Sequence, residues 1–66
     1  MTKRVYIEGK RFFDGDLISF THKGKDEKGL LFYNESTNRF MILLSNDFMI
    51  PVSEAKNVKL TVYEDR

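Results

Sequence analysis

Two aspartates that flank a single glycine, Asp14 and Asp16, are the pair most suggestive of chemistry in this sequence. Carboxylates at this spacing can open a cation-binding loop, but an EF-hand loop also needs further oxygen ligands and a closing glutamate. The segment 21–25, where that glutamate would fall, supplies none. Gly15 can adopt the positive φ of a tight turn. We therefore interpret this segment as a turn into a strand and expect no metal site.

The only imidazole in the chain is His22, and there is no cysteine, so a typical zinc site cannot be assembled. Ser19 and Thr21 alternate in direction along the same predicted strand, so neither is a ready partner for nucleophilic catalysis. We interpret His22 as a solvated residue at the end of a strand.

Enzyme activity is not expected. Gly24 and Gly29 enclose charged residues without the Gly-Lys-Ser or Gly-Lys-Thr ending of a phosphate-binding loop. A chain of 66 residues is also too short to bury a substrate and hold several positioned groups in a dry cleft. We predict no catalytic residue and no cofactor.

A basic and aromatic stretch near the start of the chain has the ingredients of a single-strand nucleic-acid site, in which cations track the backbone and rings stack on bases. The residues in this alternative are Arg4, Tyr6, Lys10, Arg11 and Phe12. Against it, acidic residues interleave with the later lysines, and the net charge is only +1. This function is the second of two hypotheses.

Composition indicates one domain over residues 1–66, near the size at which an apolar core can fold without disulfides or metals. Hydrophobic residues make up 41% of the chain, and six phenylalanines supply much of the area that can be buried. The absence of cysteine fits a reducing compartment, and no apolar run approaches the length of a membrane span. A cytoplasmic location is expected.

The segment Leu30–Leu44 organises the rest of the chain. Two apolar runs flank Asn34–Asn38, whose asparagines tolerate positive φ, and this spacing predicts a β-hairpin. Both faces of the hairpin are apolar, and a sheet that packs on only one side cannot bury both of them. The two faces are expected to be Leu31, Tyr33, Met41 and Leu43 on one side, and Leu30, Phe32, Phe40, Ile42 and Leu44 on the other. One face must be covered by residues 3–13, by a twin chain or by another protein.

Alternation of apolar and polar residues predicts further strands around this hairpin. They cover Lys3–Glu8, Leu17–His22, Phe48–Ile50 and Val58–Tyr63, with Val58, Leu60 and Val62 directed inward in the last. The charged segment Lys23–Gly29 is expected to be an exposed, mobile loop. Ser53 could cap a 3₁₀ or single α turn before the last strand.

Five or six short antiparallel strands predict an all-β domain, and rolling them into a small barrel would hide apolar faces and sheet edges. The order of elements resembles the SH3-like barrel, in which a polar loop leads into a central hairpin and a short strand precedes a 3₁₀ turn and a last strand. The resemblance covers about residues 16–63 and implies topology only. The chain has no tryptophan and its tyrosines are scattered, so proline-peptide recognition is not expected.

The preferred hypothesis is a protein-interaction module that binds another protein, or a second copy of itself, through an exposed apolar face of the hairpin. Aromatic, methionine and arginine side chains are enriched at the centres of interfaces. On this basis the predicted partner-binding residues are Tyr33, Arg39, Met41, Phe48 and Met49.

Overall fold

The computed structural model describes residues 3–61 as seven short strands and one 3₁₀ turn. The strands are β1 (Arg4–Ile7), β2 (Lys10–Phe13), β3 (Leu17–His22), β4 (Lys25–Asn34), β5 (Arg39–Leu44), β6 (Met49–Pro51) and β7 (Lys56–Leu60), and the 3₁₀ turn is Val52–Glu54. The all-β class and the 3₁₀ turn before the last strand are confirmed, with seven strands instead of five or six. Val62 and Tyr63, expected in the last strand, lie outside the described residues.

The strands form two antiparallel sheets. β1 pairs with β2 alone, and the other five strands are ordered β6-β5-β4-β3-β7. The expected closure into a barrel is not found within residues 3–61, where β6 and β7 remain edges of the larger sheet. The edges are protected in other ways, because β6 is three residues long and ends in Pro51, which has no N–H to offer.

Two tight turns connect β1 to β2 and β3 to β4. Glu8 and Gly9 have φ of 55° and 79°, and Lys23 and Gly24 have φ of 53° and 81°. Positive φ at both central residues is the signature of a type I′ turn, whose twist matches that of paired strands. The closing pairs are Ile7 with Lys10 and His22 with Lys25.

The expected loop over Lys23–Gly29 is therefore wrong. Only Lys23 and Gly24 turn, and β4 starts at Lys25, so the following charged residues pair with β3. The side chains of these charged residues are largely exposed. The start of β4 can therefore be a strand without apolar side chains, because a sheet can face water there.

The central hairpin is confirmed. Its last pair is Asn34 with Arg39, and Asn38 has a φ of 57°, the left-handed conformation that asparagine tolerates. The side-chain Oδ1 of Asn34 accepts the backbone N–H of Ser36 at 2.9 Å. The loop closes without a glycine because these two asparagines provide the bonds and the backbone geometry.

The expected grouping of residues on the two hairpin faces is wrong. Leu31 pairs with Ile42, Phe32 with Met41 and Tyr33 with Phe40, so odd positions of β4 face even positions of β5. One face carries Leu31, Tyr33, Phe40, Ile42 and Leu44, and the other carries Leu30, Phe32, Met41 and Leu43. A shift of pairing by one residue reverses a strand's faces, and the four-residue turn between Asn34 and Arg39 sets this register.

The core lies on the first of these faces, the inner face. Its buried members are Ile7, Phe12, Ile18, Phe20, Leu31, Ile42, Leu44, Ile50, Ala55 and Val58, with Val5, Phe40 and Val52 packed against them. Ile7, Phe12 and Val5 come from the β1–β2 hairpin, so this hairpin covers the inner face, as expected for residues 3–13. Leu60, expected inward, is 54% exposed.

The 3₁₀ turn differs from expectation in its start. Its N-cap residue is Pro51, and no side chain makes a capping hydrogen bond, so Ser53 lies inside the turn and does not cap it.

Candidate functional site

The face of the larger sheet that points away from the core carries two rows of apolar residues. Cross-strand pairing places Leu17, Leu30, Leu43 and Met49 in one row across four strands, and Phe32, Met41 and Pro51 in the next. Side chains on directly opposed residues of neighbouring strands lie close enough to touch. We refer to these seven residues as the outer face.

The outer face is accessible. Met49 is 54% exposed and Leu17 is 36% exposed, and the other five residues are half-buried. A shallow groove of about 270 Å³ runs beside the first row, where Leu17, Leu30 and Leu43 contribute to its lining. A contiguous apolar patch of this kind is more informative than a single exposed leucine, because isolated surface apolar residues are common.

Positive charges lie at both ends of the outer face. Lys28 and Lys59 both pair with Ser19, in the row beyond Leu17 and Leu30, and Arg39 precedes Met41 by two residues at the opposite end. All three cations are exposed. The Asp26 carboxylate lies one row further out and accepts a hydrogen bond from the Thr21 hydroxyl at 3.4 Å. The charges next to the apolar rows are thus basic.

The structure brings together three of the five predicted partner-binding residues. Met41 and Met49 belong to the outer face, and Arg39 lies at its end on the same side of the sheet. Phe48 is 67% exposed but lies in the turn between β5 and β6. Tyr33 lies on the opposite face of the sheet from Met41.

The surroundings of Tyr33 are structural. Its ring packs edge-on against Phe40 with centroids 5.3 Å apart, and Lys3 Nζ lies 4.8 Å from the ring centroid. Its hydroxyl donates to Asn38 Oδ1 at 3.1 Å. These contacts fix the side chain against the hairpin loop.

Sequence reasoning left five outer-face residues out of the predicted site. These are Leu17, Leu30, Phe32, Leu43 and Pro51. The signal that could have found them is the pairing register, since a first pair of Asn34 with Arg39 places Phe32 opposite Met41 and Leu30 opposite Leu43.

The basic and aromatic stretch is divided between two sides of the β1–β2 hairpin. Arg4, Tyr6 and Arg11 are exposed, and Tyr6 reaches 63%. Phe12 is 3% exposed and belongs to the core, so its predicted stacking role is wrong. Phe13, at 38% exposure, shares the solvent side with the other three. Lys10 extends to β7, where its Nζ donates to the backbone oxygen of Val58 at 3.3 Å.

Asp14 and Asp16 hold the turn that precedes β3. Asp14 Oδ1 accepts the backbone N–H of Tyr33 at 3.1 Å, and Asp16 Oδ2 accepts that of Phe13 at 2.8 Å. Gly15 has a φ of 100° and donates its N–H to Leu31, whose own N–H bonds to Asp16, so two residues stand opposite one in a glycine bulge. The turn interpretation is confirmed.

His22 is covered more than expected. Its side chain is only 14% exposed, and Nε2 lies 3.0 Å from Glu54 Oε1. The pair ties the end of β3 to the 3₁₀ turn. Among residues 3–61, no three histidine, aspartate or glutamate side chains converge as metal ligands would.

Comparison of the chain with protein-family models, with curated proteins and with solved structures found no match. In the part of the chain that the structure describes, no helix is long and apolar enough to cross a membrane.

Proposed function

We propose that this protein is a non-enzymatic interaction module of SH3-like topology that binds another protein through its outer face. The observation that carries the proposal is the pair of apolar rows, which the register aligns across four strands on the side away from the core. Within these rows, Met41 and Met49 are the proposed anchors, since methionine adapts to irregular partner surfaces.

The strand arrangement supports the SH3-like part of the proposal. A central hairpin, a short strand, a 3₁₀ turn and a last strand follow one another as in that fold, and the last strand pairs with the strand that precedes the hairpin. Two features depart from that fold. Within residues 3–61 the larger sheet is not closed into a barrel, and a tight turn at Lys23 and Gly24 stands where a long polar loop was expected.

The size of the outer face favours a reversible contact. Four strands about 4.8 Å apart and two rows about 7 Å apart give an apolar footprint on the order of 250 Å². A stable interface buries about 800 Å² on each partner. The apolar rows therefore form the centre of a binding surface, with the surrounding polar residues as its rim.

The charge of the rim selects the kind of partner. Lys28, Lys59 and Arg39 flank the apolar rows, so a partner with apolar side chains between carboxylates complements both the centre and the rim. If two copies of this chain bound each other through this face, the basic rim of one copy would lie next to the basic rim of the other. We therefore assign the face to a different protein with acidic flanking residues.

Selection from a displayed random peptide library, followed by NMR titration of the labelled protein, tests this proposal. The expected ligands are apolar with acidic flanks, and the amide shifts should map to the four strands of the outer face, β3, β4, β5 and β6. Met41→Glu should weaken binding about ten-fold or more, because it places a carboxylate at the apolar centre. Ligands without acidic flanks, or shifts confined to other surfaces, would refute the assignment.

A matched control and a mass measurement complete the test. Phe48→Glu introduces the same charge at an exposed apolar residue outside the two rows, and it should leave affinity unchanged. Sedimentation should give a constant mass of 7.8 kDa for the free chain. A concentration-dependent dimer that Met41→Glu abolishes would instead assign the face to self-association.

A further inference from the structure

The solvent side of the β1–β2 hairpin carries an alternating set of arginines and aromatic rings. Arg4 pairs with Phe13, and Tyr6 pairs with Arg11, so each ring lies beside a guanidinium across the strands and along them. We call Arg4, Tyr6, Arg11 and Phe13 the hairpin platform. It is separate from the outer face, because the hairpin lies over the opposite, inner side of the sheet.

The rings of the hairpin platform are available to a ligand. Tyr6 is 63% exposed and Phe13 is 38% exposed, and Arg11 Cζ lies 5.6 Å from the centroid of the Phe13 ring. The two rings occupy diagonal positions, about 7–8 Å apart for neighbours of this type in an antiparallel pair. Two rings at this separation can each stack on one base of an extended nucleic-acid strand.

The charge around the platform is strongly positive although the whole chain is nearly neutral. Residues 3–13 include Lys3, Arg4, Lys10 and Arg11 against a single acid, Glu8. The Glu8 carboxylate is directed to β7, where it accepts the backbone N–H groups of Asn57 and Val58. The arginines of the platform therefore meet no carboxylate of their own hairpin.

The aspartates that follow the hairpin are also occupied. The Asp14 carboxylate accepts the Tyr33 N–H, and that of Asp16 accepts the Phe13 N–H. Both carboxylates keep their negative charge, but within residues 3–61 neither forms an ion pair with Arg4 or Arg11.

We propose that the hairpin platform binds single-stranded nucleic acid, with Tyr6 and Phe13 stacking on bases and Arg4 and Arg11 contacting phosphates. Stacking on aromatic rings is tolerant of sequence, and arginine binds phosphate through paired N–H donors. Bases in a duplex already stack on each other, so their faces are not accessible to rings on a flat two-stranded sheet. The platform therefore favours unpaired strands over duplexes.

Fluorescence anisotropy with labelled oligo(dT) and oligo(rU) of about twelve nucleotides tests this inference. The two phosphate contacts, from Arg4 and Arg11, predict that log K falls with log salt with a slope of about −1.4, or roughly seven-fold weaker binding between about 50 and about 200 mM salt. Binding of either oligonucleotide supports the site, and the two arms show whether the 2′-hydroxyl contributes. Equal affinity for a duplex of the same length would overturn it, as would no binding at about 50 mM salt.

Substitutions separate stacking from general attraction of charge. Tyr6→Ala should weaken binding roughly five- to hundred-fold, because one base loses its stacking surface. Arg11→Gln should reduce the magnitude of the salt slope by about 0.7, the value for one phosphate. The chain offers matched controls: Phe48→Ala removes a similarly exposed ring, and Arg39→Gln removes an exposed arginine, both away from the platform.

Both controls should bind like the unchanged protein, and circular dichroism should show native structure for all four variants. Native variants in which Tyr6→Ala and Phe48→Ala bind equally well would refute stacking at the platform. Oligonucleotide binding to the hairpin platform and peptide binding to the outer face are measured separately, so either proposal can fail without the other.

Discussion

Glu8 Oε1 accepts the backbone N–H of Val58 at 2.8 Å across fifty residues of sequence. The second carboxylate oxygen accepts the N–H of Asn57 at 2.9 Å. Asn57 has a φ of 54°, and Asn57 and Val58 together stand opposite Phe20 in a bulge of β7. One side chain thus joins the turn of the first hairpin to the last strand and occupies two N–H groups at the edge of the sheet.

This contact predicts a loss of stability in acid. Hydrogen bonds from the backbone of Val58 and Asn57 lower the pKa of Glu8 below its ordinary value of 4.5, and Lys10 and Lys56 act in the same direction. Because the pKa is lower in the folded state, its contribution is present above the unfolded value and is lost as pH falls through the folded one. Urea unfolding at several pH values should show Glu8→Gln less stable than the unchanged protein at pH 7, with a difference that shrinks below about 4.5.

Glu35→Gln provides the matched control, since Glu35 is an exposed glutamate in the turn between β4 and β5. It should change stability little at any pH. A stability difference for Glu8→Gln that persists unchanged to low pH would show that the carboxylate charge is not what holds β7.

Local sequence patterns predicted the elements better than they predicted the contacts between them. Alternation at Val5 and Ile7, and the tolerance of Asn38 for positive φ, are properties of single segments and were read correctly. The tight turn at Lys23 and Gly24 was missed because the charged run resembles a loop and lysine is not a typical type I′ residue.

The candidate surfaces depend on pairing, which a single segment does not encode. Phe12 and Phe13 are adjacent, and only the register with β1 decides that Phe12 enters the core and Phe13 faces solvent. Likewise, Met41 joins Phe32 on the outer face because the hairpin turn has four residues. The bond from Glu8 to Val58 joins distant segments and has no local signal.

Gly29 provides a test of packing where β4 pairs with β5. A Cβ built at this position would lie 2.5 Å from Ile42 Cγ2 and 2.8 Å from the backbone oxygen of Leu43. Ile42 is fully buried and the oxygen belongs to the sheet, so neither can move freely. We expect Gly29→Ala to lower the free energy of unfolding by about 1–3 kcal/mol in chemical denaturation.

Gly24→Ala is the informative comparison for that substitution. Nothing lies within 4 Å of a Cβ at Gly24, but its φ of 81° strains any L side chain. Gly24→Asn should recover part of the loss there, because asparagine tolerates this conformation, whereas Gly29→Asn should be worse than Gly29→Ala. Recovery at position 29 would contradict the steric explanation.

The assignment of the hairpin faces predicts opposite outcomes for two adjacent residues. Ile42 is fully buried on the inner face, and Met41 is half-buried on the outer face. Ile42→Ala should cost about 2–5 kcal/mol, enough to unfold much of a domain of this size, and Ile42→Val about 0.5–1.5 kcal/mol. Met41→Ala should cost about 1 kcal/mol or less. Equal losses at Met41 and Ile42 in thermal and urea unfolding would mean that both faces are core.

Asp14 provides the last prediction, because its side chain substitutes for a strand partner at the end of β4. Asp14 Oδ1 accepts the Tyr33 N–H at 3.1 Å, beyond the point where the pairs of β3 with β4 end at Leu17 and Leu30. Asp14→Ala leaves that N–H without its acceptor and should cost about 0.5–1.5 kcal/mol, whereas Asp14→Asn retains an oxygen and should cost less. Amide hydrogen exchange measured by NMR should show faster exchange at Tyr33 in Asp14→Ala, with the Leu31 amide, which bonds to the Asp16 backbone, nearly unchanged. Equal acceleration at both amides would indicate that the whole turn opens and that the Asp14 carboxylate does not act on Tyr33 alone.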